Sequence, residues 1–407
     1  MEKYMQKFVH YIFLAFFVTC IAACGGGSST TTPKVDNTLT TKFASYSSLP
    51  GTLRAGAVQW GAISTSTKFS NYSVSIVAGN GGIPALIIDG SGAAASFNRP
   101  TGITTPDGID FYVADFTNNV IRKIDKDGAV TLFAGSASGS WGHADATGTA
   151  ATFYHPSDIT TDGTNLYVAD SYNNSVRIIN IKEKSVTTIG SIDGSFGSID
   201  SLIQTEVRFS HPTGITTDGK NVFVADSGNH TVRRIDIDTK AVFTLAGASG
   251  VIGSADNILG SAARFYQPTR ITTDGKTLYL TDFMNHTIRT IDIKSSEVKT
   301  LAGVPGALSA DAGSTDSKDG VARFNQPNGI TTDGLNLYVT DSYLNTIRKI
   351  VITSGFVSTL LGQNGTPLDL HTPMGITTDG NSLFVADTSL LHTDNTYTYS
   401  NSILRIH

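Results

Sequence analysis

Cysteine and charge are both scarce in this sequence of 407 residues. Two cysteines are too few for a disulfide framework or a cysteine-rich zinc site. Only 15% of the residues are charged, against about 25% in an average soluble protein, and no helical periodicity is present, which argues against a helical bundle or coiled coil. The formal net charge of −5 argues against a nucleic-acid binder. The glycine-rich, polar composition favours β structure instead.

An apolar run at residues 8–18 follows two lysines, Lys3 and Lys7. The run is too short for a comfortable transmembrane span. It is followed by small residues that a signal peptidase accepts, which is the pattern of a cleaved signal. We therefore expect residues 1–23 to be a signal peptide.

Residues 21–24, Ile-Ala-Ala-Cys, resemble the lipobox of bacterial lipoproteins. The resemblance implies that Cys24 is lipidated and becomes the first residue of the mature protein. Residues 24–42 are rich in Gly, Ser and Thr and predict a flexible tether. Because Gly25 stands where an inner-membrane retention signal has Asp, we expect a lipid-anchored protein of the bacterial cell envelope, in the outer membrane. The alternative is an ordinary signal peptide that happens to end at a cysteine.

One block of sequence recurs six times. Its proline stands at Pro100, Pro156, Pro212, Pro268, Pro327 and Pro373. Each copy holds four short β-type runs, and turn residues such as Asp218-Gly219 separate them. Four antiparallel strands repeated six times predict sheets arranged radially around an axis. The predicted fold is an all-β, six-bladed β-propeller of four-stranded antiparallel blades.

The ring is predicted to close through the N-terminal end of the repeat region. The sixth copy supplies only three strands before the chain ends, whereas residues 72–79 resemble a fourth strand that has no blade of its own. We expect residues 73–78 to complete the last blade, which removes an open sheet edge. The propeller then covers residues 72–407, and residues 43–71 form an N-terminal extension with no assigned role.

The recurring pattern Pro-x-Gly-Ile, Leu-Tyr-Val-Ala-Asp-x-x-Asn and Val-Arg-x-Ile resembles the NHL repeat. The sequence Ala-Ala-Arg-Phe at residues 262–265 precedes one copy, as in many bacterial NHL-repeat lipoproteins. The resemblance implies a six-bladed propeller. It does not fix a function, because members of the family include interaction platforms, RNA-binding domains and a zinc-dependent amidating lyase.

Residues that every blade repeats are expected to serve the blade, whereas a binding site breaks the symmetry. Two series recur throughout, and we expect them to form structural ion pairs. They are Asp115, Asp170, Asp226, Asp282, Asp341 and Asp387, with Arg122, Arg177, Arg233, Arg289, Arg348 and Arg405. Whether the partners share a blade stays open. A loop series is expected to cap turns rather than bind calcium. It comprises Asp89, Asp145, Asp200 and Asp256.

The symmetry breaks before the first strand, at the predicted mouth of the central channel. The residue before the repeat proline varies among Arg99, His155, His211, Gln267, Gln326 and Thr372. Asp158 and Arg270 replace a common glycine two positions after that proline. An expanded loop at residues 388–401 adds Tyr397 and Tyr399. We treat these as candidate ligand-binding residues; the alternatives are a solvated rim and a disordered insertion.

A metal is a weaker hypothesis. The amidating lyases that the sequence resembles hold zinc with histidine, and His155, His211 and His371 are the candidates, but they lack a typical ligand spacing. Asp311, Asp316 and Asp319 do not match a calcium loop. We expect no cofactor, with zinc or calcium as the alternative.

The favoured function is that of a non-enzymatic binding or scaffolding module, which binds an envelope protein, a peptide or a glycan. We expect a monomer that binds no nucleic acid and meets the membrane only through its lipid anchor. The alternative is a lyase-like or lactonase-like enzyme with His155, His211, Asp158 and Arg270 around the channel mouth.

Overall fold

The computed structural model describes residues 72–79, 87–305, 313–317, 321–388, 390–391, 397–398 and 401–407. These residues form six antiparallel sheets, the blades of a propeller. The predicted all-β, six-bladed fold is confirmed. Within the described part of the chain, the only helices are single 3-10 turns, at Gly92–Ala94, Gly148–Ala150, Ser171–Asn173, Ser227–Asn229, Gly260–Ala262, Phe283–Asn285 and Gln363–Gly365.

The strands follow the repeat. Blade 1 contains Gly90–Ser91, Pro100–Thr104, Phe111–Asp115, Val120–Ile124 and Ala129–Ala134. Blade 2 contains Pro156–Thr161, Asn165–Asp170, Ser175–Asn180 and Val186–Gly190. Blade 3 contains Pro212–Thr217, Asn221–Asp226, Thr231–Asp236 and Val242–Gly247. Blade 4 contains Pro268–Thr273, Thr277–Asp282, Thr287–Asp292 and Val298–Ala302. Blade 5 contains Pro327–Thr332, Asn336–Asp341, Thr346–Val351 and Phe356–Thr359.

Blade 6 closes the ring as predicted. It contains Pro373–Thr378, Leu383–Asp387, Ser402–Ile406 and Val74–Ala78. Val74 pairs with Ile406, and the Ser73 amide donates to the His407 carbonyl at 2.9 Å. The two ends of the propeller sequence therefore share one sheet, and the blade has no unpaired edge at that point. A separate two-stranded sheet, Leu390–Leu391 with Tyr397–Thr398, belongs to the expanded loop.

The first strand of each blade lies at the axis, where it contacts the first strands of its two neighbours. This packing explains the glycine that the repeat places there. A Cβ on Gly102 would lie 2.6 Å from the Cα of Asp158, which is too close for any side chain. Apolar side chains fill the space between neighbouring blades, as where Tyr112 and Phe133 of blade 1 meet Leu166 and Ile179 of blade 2.

The repeated arginine is fully buried and sits between two carboxylates. In blade 3, Arg233 donates to Asp226 of the same blade at 2.9 Å and to Asp200 of the preceding loop at 2.5 Å. Its guanidinium also lies over the ring of Phe209, 5.1 Å from the centroid. We call this arrangement the arginine clamp. It recurs around Arg122, Arg177, Arg233, Arg289 and Arg348.

The clamp assigns the loop aspartates a larger role than turn capping. Asp200 accepts from the buried arginine and also from the Thr244 amide of the fourth strand, at 2.9 Å. Each such residue therefore ties an inter-blade loop to the middle and the edge of its blade. Asp316 is a fifth member, bound to Arg348 at 2.8 Å. Asp311 and Asp319 lie outside the described residues.

Blade 6 departs from the predicted series. Leu404 pairs with Val385, the place that arginine takes in the other blades, whereas Arg405 pairs with Phe384 and is exposed. The assignment of Arg405 to the buried arginine series is therefore wrong by one residue. Because neighbouring residues of a strand face opposite sides of the sheet, the Arg405 side chain points outward. The buried Asp387 instead has His371 as a partner, with Nδ1 3.5 Å from the carboxylate.

Candidate ligand-binding site

The residues before the repeat prolines share an unusual backbone conformation. Five have φ between 47° and 61°: Arg99, His155, His211, Gln267 and Gln326. Non-glycine residues rarely adopt this left-handed region, and such positions persist only where surrounding contacts hold them. Here the contact comes from the previous blade. The His155 amide, for example, donates to Oδ1 of Asn119 at 2.9 Å, and the His211 amide donates to Asn174 in the same way.

Histidine replaces asparagine in two of these inter-blade contacts. Nδ1 of His230 accepts the Gln267 amide at 3.2 Å, and Nδ1 of His286 accepts the Gln326 amide at 3.1 Å. Both rings must therefore be neutral and protonated on Nε2. Burial lowers the pKa of both, which favours that form. His230 and His286 thus act as turn and inter-blade contact residues, and Gln267 and Gln326 supply backbone to the contact.

Aromatic and cationic side chains gather on the same face over blades 1 to 3. We call this group the mouth cluster. It comprises Arg99, Phe116, Trp141, Tyr154, His155, Tyr172 and His211. All of them keep some contact with solvent, and Trp141 is 64% exposed. The sequence predicted Arg99, His155 and His211 as neighbours in this region, and the structure brings them together.

The rings of the mouth cluster form a continuous row. Trp141 stacks on Tyr154 with centroids 4.8 Å apart and planes inclined by 22°. Tyr154 lies 4.9 Å from His155, which stacks on Phe116 at 4.5 Å. The Arg99 guanidinium then lies over Phe116, 5.3 Å from its centroid. Contacts at these distances are favourable and give the row a defined shape.

His155 has a tautomer that its surroundings determine. Its Nδ1 lies 3.1 Å from the Phe116 carbonyl, which can only accept, so Nδ1 carries the proton. Burial, together with the nearby charge of Arg99, lowers the pKa of His155 and favours the neutral ring. Nε2 is then a hydrogen-bond acceptor, and no described residue donates to it. Burial also lowers the pKa of His211.

Asp158 and Arg270 lie among the first strands of the blades, near the propeller axis. Both are buried, and Arg270 Nε is 3.9 Å from the carboxylate of Asp158. The Arg270 guanidinium, from blade 4, donates to the carbonyls of Thr101 in blade 1 at 3.0 Å and Ser157 in blade 2 at 2.9 Å, and also to that of Thr213 in blade 3. The pair replaces two glycines of the repeat and links the first strands of four blades.

The other sequence candidates are scattered. Tyr397 lies in the small sheet of the expanded loop, and Tyr399 lies outside the described residues. His371 belongs to blade 6 with Asp387, away from His155 and His211 of the mouth cluster. Among the described residues, no group of three or more His, Cys, Asp or Glu side chains is placed to hold a metal ion. The same residues include no helix that is long and apolar enough to cross a membrane.

Sequence reasoning missed four members of the mouth cluster, Phe116, Trp141, Tyr154 and Tyr172. The signal in the sequence was weak, because other blades also carry aromatic residues at some of these positions, namely Phe283, Phe196, Tyr266 and Tyr343, and small or polar residues at the rest. Tyr154, for instance, corresponds to Asn98 in blade 1 and to Ser210 in blade 3. The neighbouring turns could not be aligned closely enough from one copy to show that these rings meet.

The family model of the NHL repeat matches residues 209–235, which span the first three strands of blade 3. The same strands recur around the ring. The chain is a six-bladed β-propeller whose third blade matches the NHL repeat. This NHL-repeat chain is 28% identical over 290 residues to Protein SUPPRESSOR OF QUENCHING 1, chloroplastic, of Arabidopsis thaliana, a match that covers 67% of the chain and 27% of that protein.

A second relative, human NHL repeat-containing protein 2, is 32% identical over 164 residues, which cover 37% of the chain and 22% of that protein. The NHL-repeat chain thus matches only about a quarter of either relative.

Among solved structures, the chain resembles an auxiliary nutrient binding protein from Bacteroides thetaiotaomicron. The TM-score is 0.58 at 15% identity, and the match covers 83% of this chain and 76% of that one. A protein of the same description from Bacteroides ovatus gives a TM-score of 0.58 and 13% identity, covering 83% and 77%. Likeness at these identities shows the fold alone.

Proposed function

We propose that this protein is a lipid-anchored binding module of the bacterial cell envelope, and that the mouth cluster is its ligand site. The observation that carries the proposal is the break in symmetry. Among the described residues, the arginine clamp is found in five blades and therefore serves the scaffold, whereas the continuous row from Trp141 to Arg99 is found once. A rigid scaffold that carries one group of exposed aromatic and cationic residues is suited to binding.

The contacts of Arg270 are in keeping with a site on the face of the ring. Arg270 bonds carbonyls of three other blades near the axis and is itself buried there. The fold is shared with two proteins described as nutrient binding, which is in keeping with a binding role. The signal sequence, Cys24 and the polar tether support display from the outer membrane.

The test is a binding screen with the full chain purified in detergent, against arrays of glycans and peptides. We expect ligands that the wild type retains and that Tyr172→Ala loses. Tyr343→Ala is the matched control, because Tyr343 holds the same position in blade 5 and is 53% exposed. If the two variants lose binding equally, or if the wild type retains nothing, the proposed site is wrong. Cys24→Ala should abolish the incorporation of labelled palmitate into the protein, and incorporation that persists would contradict the anchor.

A further inference from the structure

We propose that the ligand of the mouth cluster is an acidic glycan, a sugar chain that carries carboxylates. In this arrangement, a sugar ring lies on Trp141 and a carboxylate of the chain pairs with Arg99. The inference rests on the proposed function and names the ligand class of the same site.

Trp141 supplies a flat surface toward solvent. Tyr154 covers one face of the indole at 4.8 Å, yet the side chain remains 64% exposed. The stacking holds the indole in place, so covering its outer face costs little conformational entropy. The C–H face of a sugar ring is apolar and of similar size, while its hydroxyls point outward toward water and polar groups. Such a ligand covers an isolated aromatic surface without demanding a deep apolar pocket.

Hydroxyl groups stand beside this surface. Ser136, Ser138 and Ser140, which precede Trp141 at alternate positions, are linked through their Oγ atoms at 2.8 Å in each step. A serine hydroxyl both donates and accepts, as a sugar hydroxyl does. The loop is fixed to the mouth, because the Asn119 side chain donates to the Gly139 carbonyl at 3.0 Å. The serine row therefore favours a polyhydroxyl ligand over an apolar peptide.

His155 adds an acceptor inside the row of rings. Because Nδ1 is committed to the Phe116 carbonyl, Nε2 can accept a hydrogen bond from a ligand hydroxyl. A carboxylate has no proton to donate at neutral pH, so His155 matches the hydroxyl part of a sugar acid. Tyr172 meets the same imidazole edge-on at 4.7 Å and limits its movement.

Arg99 supplies the charge at the other end of the row. Its guanidinium is half-buried over Phe116, and burial lowers its pKa, the direction expected when water around a charge is removed. A guanidinium offers two parallel donors to a carboxylate, and the bond strengthens where water is excluded. From Arg99 to Trp141 the row includes three ring-to-ring steps of 4.5 to 4.9 Å, which exceeds one sugar residue. The site therefore suits a chain of sugars.

The experiment compares each acidic glycan with its own methyl ester, which removes the charge and keeps the sugar. Oligomers of galacturonate, glucuronate and mannuronate, as free acids and as esters, are titrated calorimetrically into the full chain in detergent. We expect at least one free acid to bind tenfold or more tightly than its ester. Trp141→Ala should weaken acid and ester by the same factor.

Arg99→Gln is the decisive variant. Glutamine already occupies the same left-handed position in blades 4 and 5, as Gln267 and Gln326, so the backbone accepts it. We expect this variant to bind the acid no more tightly than the ester. Arg405→Gln, on the exposed face of blade 6, is the charge-matched control and should keep the preference.

The outcomes separate the two proposals. Equal binding of acid and ester, or binding of neutral glycans alone, overturns the acidic ligand and leaves the binding module standing. Binding of peptides alone that depends on Tyr172 does the same. A preference for the acid that Arg99→Gln leaves unchanged overturns the role of Arg99. Failure to bind any member of the arrays overturns the proposed function as well.

Discussion

The arginine clamp and the mouth cluster use the same residue types for opposite purposes. In the clamp, a fully buried arginine lies over a phenylalanine and meets two aspartates, and five blades repeat the arrangement. In the mouth cluster, a half-buried arginine lies over Phe116 at the end of a row of rings that is found once among the described residues. Within one repeat protein, the number of copies therefore distinguishes scaffold from site where residue type alone does not.

The two regions also differ in how their charge is stabilised. Arg233 has two carboxylates and two backbone carbonyls as hydrogen-bond partners in the interior of the protein, whereas Arg99 is half-buried over a ring near solvent. A buried pair of this kind adds little net stability against an apolar substitute, but loss of one partner leaves an uncompensated charge. Changes in the clamp should therefore act on folding, and changes in the mouth cluster on binding.

The largest expected effect follows from Asp226→Ala. The variant leaves Arg233 buried with one carboxylate fewer, and loss of a partner from a buried ion pair costs about 3–5 kcal/mol. Chemical unfolding measures the change, with Arg405→Ala as an exposed control that should shift stability by less than about 0.5 kcal/mol. Ligand binding by the folded fraction should not change. A variant as stable as the wild type would contradict the structural role of the clamp.

An intermediate loss of stability is expected from a substitution at the axis, where Arg270 is buried but is not repeated in the other blades. Arg270→Met removes a guanidinium that serves carbonyls of three blades, and hydrogen bonds to charged groups contribute about 1.5–3 kcal/mol. We expect a loss in that range by chemical unfolding. The double variant Asp158→Gly with Arg270→Gly, which restores the residue of the other blades, should recover part of it. A double variant that is less stable than Arg270→Met would contradict this role of Arg270 at the axis.

The ring and its closure could be predicted from the sequence because both depend on short-range patterns. Strand alternation and turn dipeptides recur in every copy, and the missing fourth strand of blade 6 had one candidate in residues 72–79. The loop carboxylate that pairs with each buried arginine could be identified only from the structure. Strand patterns do not determine where a loop residue such as Asp200 folds back. The predicted arginine of blade 6 was wrong because the expanded loop before Ser402 obscures a one-residue offset of the third strand relative to the repeat.

The candidate site was only partly predictable for a similar reason. Arg99, His155 and His211 could be found because they precede the repeat proline, a position that every copy marks. Trp141 stands in a loop whose length differs between blades, so its contact with Tyr154 follows from three-dimensional packing alone. Asp158 and Arg270 were visible as glycine replacements, but whether they face the axis or the rim depends on strand twist.

The smallest expected effect concerns pH and the contacts that His230 and His286 make. Each Nδ1 must be unprotonated to accept an amide, and burial holds the pKa of both rings below the ordinary value of 6.5. Their contribution is therefore present above pH 6.5 and is lost as the pH falls through the folded-state pKa. We expect a loss of about 0.5 kcal/mol for each ring, the low end for a hydrogen bond.

The double variant His230→Asn with His286→Asn should flatten this dependence between pH 7.5 and pH 5, because the asparagines of blades 1 and 2 make the same contact without titrating. The contribution of His371 to stability is expected to depend on pH in the opposite direction. Asp387 raises the pKa of His371, so its contribution is present at low pH and is lost as the pH rises. His371→Asn should therefore steepen the loss of stability on acidification. Thermal unfolding across the same range measures both, and identical pH profiles for the three proteins would show that the imidazoles carry no such coupling.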